Sequence, residues 1–382
     1  MPEPAPRRLG WLLLGYLGAV VAMILLAPFR FDPGRLAAAT WEPLGTTELR
    51  DVALNVVLFL PLGFLLERVR SGRLGVGAIA LLAAAVALAA ESLQLMIPGR
   101  YSALTDVAAN GAGAALGAVL SRMVRLRVAA DAALAGRLFL DLPLVGLCWL
   151  MVPLVWLQAL GRLEPRDAVV AATLALAVGV ALAAAGRSGG TTRWPLLAPM
   201  AAGWALIALL PLGLRDPRSA ALALAAHALG FAIADLWWGR AGRTERRVEP
   251  GTILVIAALL LPWLVTTDPS VGSFAWRGDG AATRLGALAV LERLVGCTVI
   301  GYALAEWRGR AKRQGIVAVG ISVVATVAVV ALVHWPVATP RLLLTALGAG
   351  LGATIYQRQR AAVLWFIEGG ASPVPQGPSR DS

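Results

Sequence analysis

Asn55, Glu91, Gln94, Arg100, Asp106 and Asn110 are polar residues set in or beside apolar runs. Polar groups inside such runs are costly and tend to face one another, water or a ligand. Glu91 and Gln94 are three residues apart, which puts them on one face of a helix. Asp106 and Asn110 are four apart and share a face of the next. Pro98-Gly99-Arg100 reads as the turn between these helices, and Ser102 is expected to cap the second one. The carboxylates and amides of this set accept hydrogen bonds from hydroxyls or amines. Arg100 offers a rigid fork suited to phosphate or carboxylate. Glu91 is the one candidate general base, but no Ser/His, Cys/His, HExxH or metal-ligand set accompanies it. Cys148 and Cys297 are isolated in apolar blocks, and His227 and His334 stand alone, which reads as packing. No catalytic residue, metal or cofactor is therefore assigned, and an enzyme is the least favoured reading.

The elements that must position these residues are membrane helices. The 382 residues are 58% hydrophobic and 15% charged, with a mean hydropathy of +0.74. The apolar residues come in blocks of about 18–22, the length a helix needs to cross ~30 Å of hydrocarbon. The expected fold is all-α, a polytopic transmembrane bundle of about twelve spans. The first follows a positively charged start and stays in place. The second, 52–67, carries Asn55 and Pro61, and the third and fourth run near 74–97 and 103–121.

The net charge of +12 comes almost wholly from Arg, with Lys312 the only Lys, in short gaps between blocks. No basic face with interleaved aromatics exists, which argues against a nucleic-acid partner. Connections on the N-terminal side of the membrane hold twice as many Arg and Lys as those opposite. By the positive-inside rule both termini are then cytoplasmic, and the expected location is the bacterial cytoplasmic (inner) membrane. All six polar residues then fall in or near the outer third, with Glu91 ~9 Å below its helix end at 1.5 Å per residue.

The Arg-rich connection 122–137 divides the chain into a unit of residues 1–124 and a further helical region, 138–360. The Pro-, Gly- and Ser-rich tail, 369–382, is expected to be disordered. ERLVGCTVIGYALAE (292–306) compares with LNVVLFLPLGFLLE (54–67), pairing Gly63 with Gly301. RLLLTALGAGLGATI (341–355) compares with DVAANGAGAALGAVL (106–120), pairing Gly113 and Gly117 with Gly348 and Gly352. Spans 2–4 and 10–12 are therefore read as a parallel repeat. Val329, Arg341 and Thr345 stand in the second copy where Glu91, Asp106 and Asn110 stand in the first. That copy is expected to be a scaffold. Ala109, Gly113 and Gly117 form a small-xxx-small row suited to close helix contact.

The joint pattern N-x3-F-x-P-x-G (Asn55, Phe59, Pro61, Gly63), E-x-x-Q, a PGR turn and D-x3-N-x2-G-x3-G resembles the VanZ-like family over about residues 45–124. That family is named for a link to resistance against the lipoglycopeptide teicoplanin, and no reaction is firmly assigned to it. The resemblance implies a membrane protein of the cell envelope. Membrane lipids or a lipid-linked envelope precursor are the expected partners, bound by Asn55, Glu91, Gln94, Arg100, Asp106 and Asn110. A transporter or flippase is the second reading. A buried Glu91–Arg100 ion pair with no ligand is the structural alternative.

Overall fold

The computed structural model describes residues 5–26, 31–37, 40–42, 48–70, 72–130, 146–160, 165–187, 194–240, 280–308, 314–332 and 339–367. Within them the fold is all-α apart from one pair of two-residue strands. The order is α1 (Ala5–Leu26), a 3-10 turn (Pro33–Ala37), β1 (Trp41–Glu42), α2 (Leu49–Arg70), α3 (Val76–Gln94), β2 (Ser102–Ala103) and α4 (Leu104–Ala130). Then come α5 (Val152–Leu160), α6 (Pro165–Arg187), α7 (Trp194–Arg215), α8 (Pro217–Arg240), α9 (Gly280–Arg308), α10 (Gln314–Leu332) and α11 (Thr339–Ile367).

Six of these helices contain a stretch long and apolar enough to cross a membrane: Pro6–Leu26, Leu49–Arg70, Val76–Gln94, Leu104–Val124, Pro217–Ala234 and Leu288–Trp307. Shorter apolar helices lie at Gly146–Ala159, Asp167–Ala183, Met200–Arg215 and Gly315–Ala328. The span expected near 250–267, the start of that at 138–160, and the tail lie outside the described residues.

Three helix pairs share one packing device. In α2 and α4 a Cβ on Gly117 would run into the Leu60 carbonyl and the Phe64 nitrogen, and one on Gly63 into the Ala114 backbone. In α9 and α11 the same holds for Gly352 against Thr298 and Tyr302, and for Gly301 against Ala349. In α6 and α8 it holds for Gly179 against His227 and Phe231, and for Gly230 against Leu176. Each time, one glycine rests on the backbone three residues before and one residue after its partner glycine. The partner rests three residues before the first. Small residues allow this approach, and in hydrocarbon, where no hydrophobic force drives helices together, close packing carries association. In the first two pairs the first-named glycine belongs to the later helix; in the third it belongs to the earlier one.

α1 lies between the halves, packed on α2, α3, α9 and α11. Tyr16, Leu17, Val20, Val21, Ile24 and Leu25 are buried there. At the end of α2 away from the polar set, Arg122 donates from Nε to Glu67 Oε1 at 3.1 Å and from Nη2 to the Leu74 carbonyl at 2.7 Å. In the second half His227 is a packing residue. It stacks on Trp204 with ring centroids 5.2 Å apart and shares a 3.1 Å hydrogen bond with the Ala175 carbonyl. Asp216 separates α7 from α8 and accepts from the Ser219 hydroxyl and, at 3.1 Å, from the Arg218 N–H. The Ser219 hydrogen bond, first among these, holds its carboxyl below the usual range.

Candidate functional site

The turn joining α3 to α4 organises the polar set. Ile97-Pro98-Gly99-Arg100 closes with Arg100 N–H donating to the Ile97 carbonyl at 3.2 Å. Gly99 sits at φ +75°, where a side chain would be strained. Pro followed by a positive-φ glycine is the sequence signature of a type II turn. This turn brings Arg100 back beneath the end of α1. Arg100 Nη2 donates to the Leu25 carbonyl at 2.8 Å and the Ile24 carbonyl at 3.2 Å. Gln94 Nε2 donates to the same Leu25 carbonyl at 3.1 Å. The last carbonyls of a helix have no donor of their own, and these two side chains supply one.

Glu91 is buried and turned toward the start of α4. Its Oε2 accepts from the Ala103 N–H at 3.2 Å, just ahead of Leu104, where negative charge is favoured by the helix dipole. Ser102 does not cap α4 as its position suggested. It is part of β2, and its hydroxyl donates to the Glu91 backbone carbonyl at 2.6 Å. The Glu91 carboxylate takes the capping role from another helix.

On α4, Asp106 accepts a hydrogen bond from Asn55 of α2 and lies within electrostatic reach of Glu42, Asp51, Glu91 and Arg100. Its Oδ1 is buried and has no partner. One turn on, Asn110 is 0% exposed, and both its amide oxygen and its amide nitrogen are unpartnered. Glu91, Asp106 and Asn55 therefore converge between α2, α3 and α4, with Asn110 one turn beyond Asp106. Gln94 and Arg100 form the adjoining wall against α1. Among the described residues, no group of three or more His, Cys, Asp or Glu is placed to hold a metal ion.

The segment between α1 and α2 also belongs to the site. Asp32 N–H donates to the Met96 carbonyl at 2.8 Å, and Arg35 Nη1 to the Ile97 carbonyl. Trp41 and Glu42 pair in parallel with Ser102 and Ala103. Glu42 is thereby held beside the residue that Glu91 binds. Asp51, in the first turn of α2, lies four residues before Asn55 on one helix face. Sequence reasoning named neither acid. The i,i+4 spacing of Asp51 and Asn55 was available as a signal; the strand pairing of Glu42 had none.

Residues 11–125 match the family model described as VanZ/LLP1. The N-terminal third of the chain is VanZ-like. The matched segment begins within α1, the helix whose end Gln94 and Arg100 hold, and closes within α4, so the whole site falls inside it. The match and the long apolar helices together make this a membrane protein. No curated protein and no solved structure matches the chain.

Proposed function

We propose that the VanZ-like unit binds the polar headgroup of an envelope amphiphile, a membrane lipid or a lipid-linked precursor, with the tail lying between helices. The observation that carries this reading is Asn110, buried with neither amide atom partnered, beside an unpartnered oxygen of Asp106. Native proteins leave few buried polar groups without a hydrogen bond, and each costs about 1–3 kcal/mol. A hydroxyl- or amine-bearing headgroup would satisfy them. In this reading the protein spans the bacterial inner membrane about twelve times with both termini inside, and the site opens outward. Spans 2–4 and 10–12 are a parallel repeat, a relation supported by their shared glycine packing. In the second copy Arg293 and Thr345 occupy the positions of Asn55 and Asn110.

A photoreactive benzoylphenylalanine introduced at Tyr101, which is exposed at the rim, tests the reading. Irradiated membranes should yield an adduct with a lipid-tailed molecule, lost in Asn110→Ala and Asp106→Ala. An adduct that persists unchanged in both variants would sink it. Transport or flipping of the same amphiphile is the second reading, favoured by the recurrence of one parallel-helix device in both halves.

A further inference from the structure

The headgroup reading leaves open which chemistry the site prefers, and the donors and acceptors along α4 bear on it. Asp106, Asn110 and Gly113 follow one another at intervals of four and three residues, so they share one face of the helix. That face is turned to α2. A Cβ on Gly113 would run into the Val56 carbonyl, and Asn55 donates to Asp106. Asn55 and Asp106 are half-buried, whereas Asn110 is 0% exposed. The row therefore opens at Asp106 and ends at Asn110, beyond which the two backbones meet at Gly113.

Three buried atoms on this face have no partner: Asp106 Oδ1, Asn110 Oδ1 and Asn110 Nδ2. The two oxygens are acceptors, and the nitrogen carries two N–H donors. A ligand filling the row has to donate to the first two and accept from the third. An ionised phosphate offers acceptors alone and would set its charge against Asp106. An ammonium group offers donors alone and would leave the Asn110 N–H groups unmet. Nor does charge call for a cation here. Arg100 acts on both Glu91 and Asp106, and Asp51 lies 3.6 Å from Arg50. Arg100 and Arg35 in turn reach the Leu25 and Ile97 carbonyls, which holds them to the turn rather than to this row. A hydroxyl donates and accepts at once without bringing a charge. Asp106 and Asn110 are one turn apart, ~6 Å along the axis at 1.5 Å per residue. Two hydroxyls on neighbouring carbons bridge that span with a hydrogen bond of about 2.8 Å at each end.

Resting on the headgroup reading above, we propose that the site takes a neutral headgroup bearing adjacent hydroxyls, from a sugar or from glycerol, in preference to an amine or a phosphate. The hydroxyls donate to Asp106 Oδ1 and Asn110 Oδ1, and one of them accepts from Asn110 Nδ2.

The experiment uses the full chain purified in lauryldimethylamine oxide, a detergent with no hydroxyl, and four probes with the same octyl tail. They are octyl glucoside, octylglycerol ether, octylammonium and octyl phosphate, and native mass spectrometry reads saturable binding of each. At least one hydroxylated probe should bind about tenfold or more tightly than the ammonium and the phosphate, the difference expected for one hydrogen bond left unmade on a buried group. Tight binding of both supports the shared diol; of the glucoside alone, a sugar; of the ether alone, glycerol. Asn110→Asp replaces the two donors with an acceptor and should reverse the order in favour of octylammonium. Asp106→Asn places a donor where Oδ1 stands and should raise the binding of octyl phosphate. Lost packing alone would produce neither reversal, and either variant serves if the other fails to accumulate. Octylammonium or octyl phosphate binding as tightly as the hydroxylated probes would overturn the diol assignment while leaving a headgroup site. An order of preference unchanged in the variants would overturn it too. Saturable binding of none of the four would remove the headgroup reading itself.

Discussion

Arg100 Nη2 lies 2.8 Å from the carbonyl oxygen of Leu25, a residue 75 positions earlier in the chain. The contact joins the turn between α3 and α4 to the last turn of α1, with Gln94 on the same carbonyl. It also makes the relation between Arg100 and Glu91 something other than a simple pair. Each meets backbone at a helix terminus, Arg100 at the negative end of α1 and Glu91 at the positive end of α4. Their charges suit those two ends and would not suit the reverse.

Exchanging the two charges should therefore fail. In Glu91→Arg/Arg100→Glu a carboxylate would face the Ile24 and Leu25 carbonyls, and a guanidinium would face the Ala103 N–H. The double variant should accumulate in membranes no better than either single one. Arg100→Ala alone should cost about 1.5–3 kcal/mol, the range for a hydrogen bond to a charged group, read as a lower unfolding temperature in detergent. Restored accumulation in the exchanged protein would show that the two residues serve mainly as an ion pair.

The glycine contacts predict a contrast between sites. Gly→Ala in a helix interior is favourable by about 1 kcal/mol on propensity alone. Gly18, Gly77 and Gly203 have open space around them and should tolerate or benefit from Ala. Gly117, Gly352 and Gly179 meet backbone atoms that cannot move aside. Ala there should cost about 1–3 kcal/mol through overpacking. Thermal unfolding of the six single variants checks this, and equal tolerance in both groups would contradict the shared packing.

Much of the site was legible because its spacing is local. Glu91 and Gln94, the turn at Pro98-Gly99, and Asp106 with Asn110 follow from helical period and turn chemistry. The match of Gly63, Gly113 and Gly117 to Gly301, Gly348 and Gly352 was legible for a similar reason, since their order and the four-residue spacing within the later helix are kept. The α6–α8 pair was not, because Gly179 stands in the earlier helix and no alignment in chain order brings it onto Gly117. Glu42 was hidden for another reason. A two-residue strand has no periodicity, and only its pairing with Ser102 and Ala103 gives it a place. Nothing local to Arg100 announces that its partner is the end of α1.

Glu67 and Arg122 provide a test away from the site. The Glu67 side chain is 1% exposed and that of Arg122 34%, so the carboxylate depends on its partner more than the guanidinium does. Arg122→Met should cost about 3 kcal/mol by removing a charged partner from a buried carboxylate. Glu67→Leu combined with Arg122→Met should recover most of that loss, since an apolar replacement of both partners is often neutral. Unfolding in detergent measures both. A double variant as unstable as the single one would mean that the pair, and not merely the buried carboxylate left behind, holds α2 to α4.

Asn110 offers the sharpest separation of stability from function. Its amide is wholly buried with both polar atoms unpartnered, so in the unliganded protein it costs stability. Leu has a similar size and no polar atom. Asn110→Leu should therefore raise the unfolding temperature of the ligand-free protein, by about 1–3 kcal/mol of stability, while removing binding. Functional residues often show this trade of stability against activity. Thr345, which the proposed repeat aligns with Asn110, is buried too, but it bonds the Cys297 thiol. Thr345→Ala should lower stability slightly and leave binding unchanged. The opposite result at Asn110, a protein that loses stability with Leu, would mean that its amide already has a partner in the membrane-embedded protein. The argument for a ligand there would then fall, whatever happened to binding.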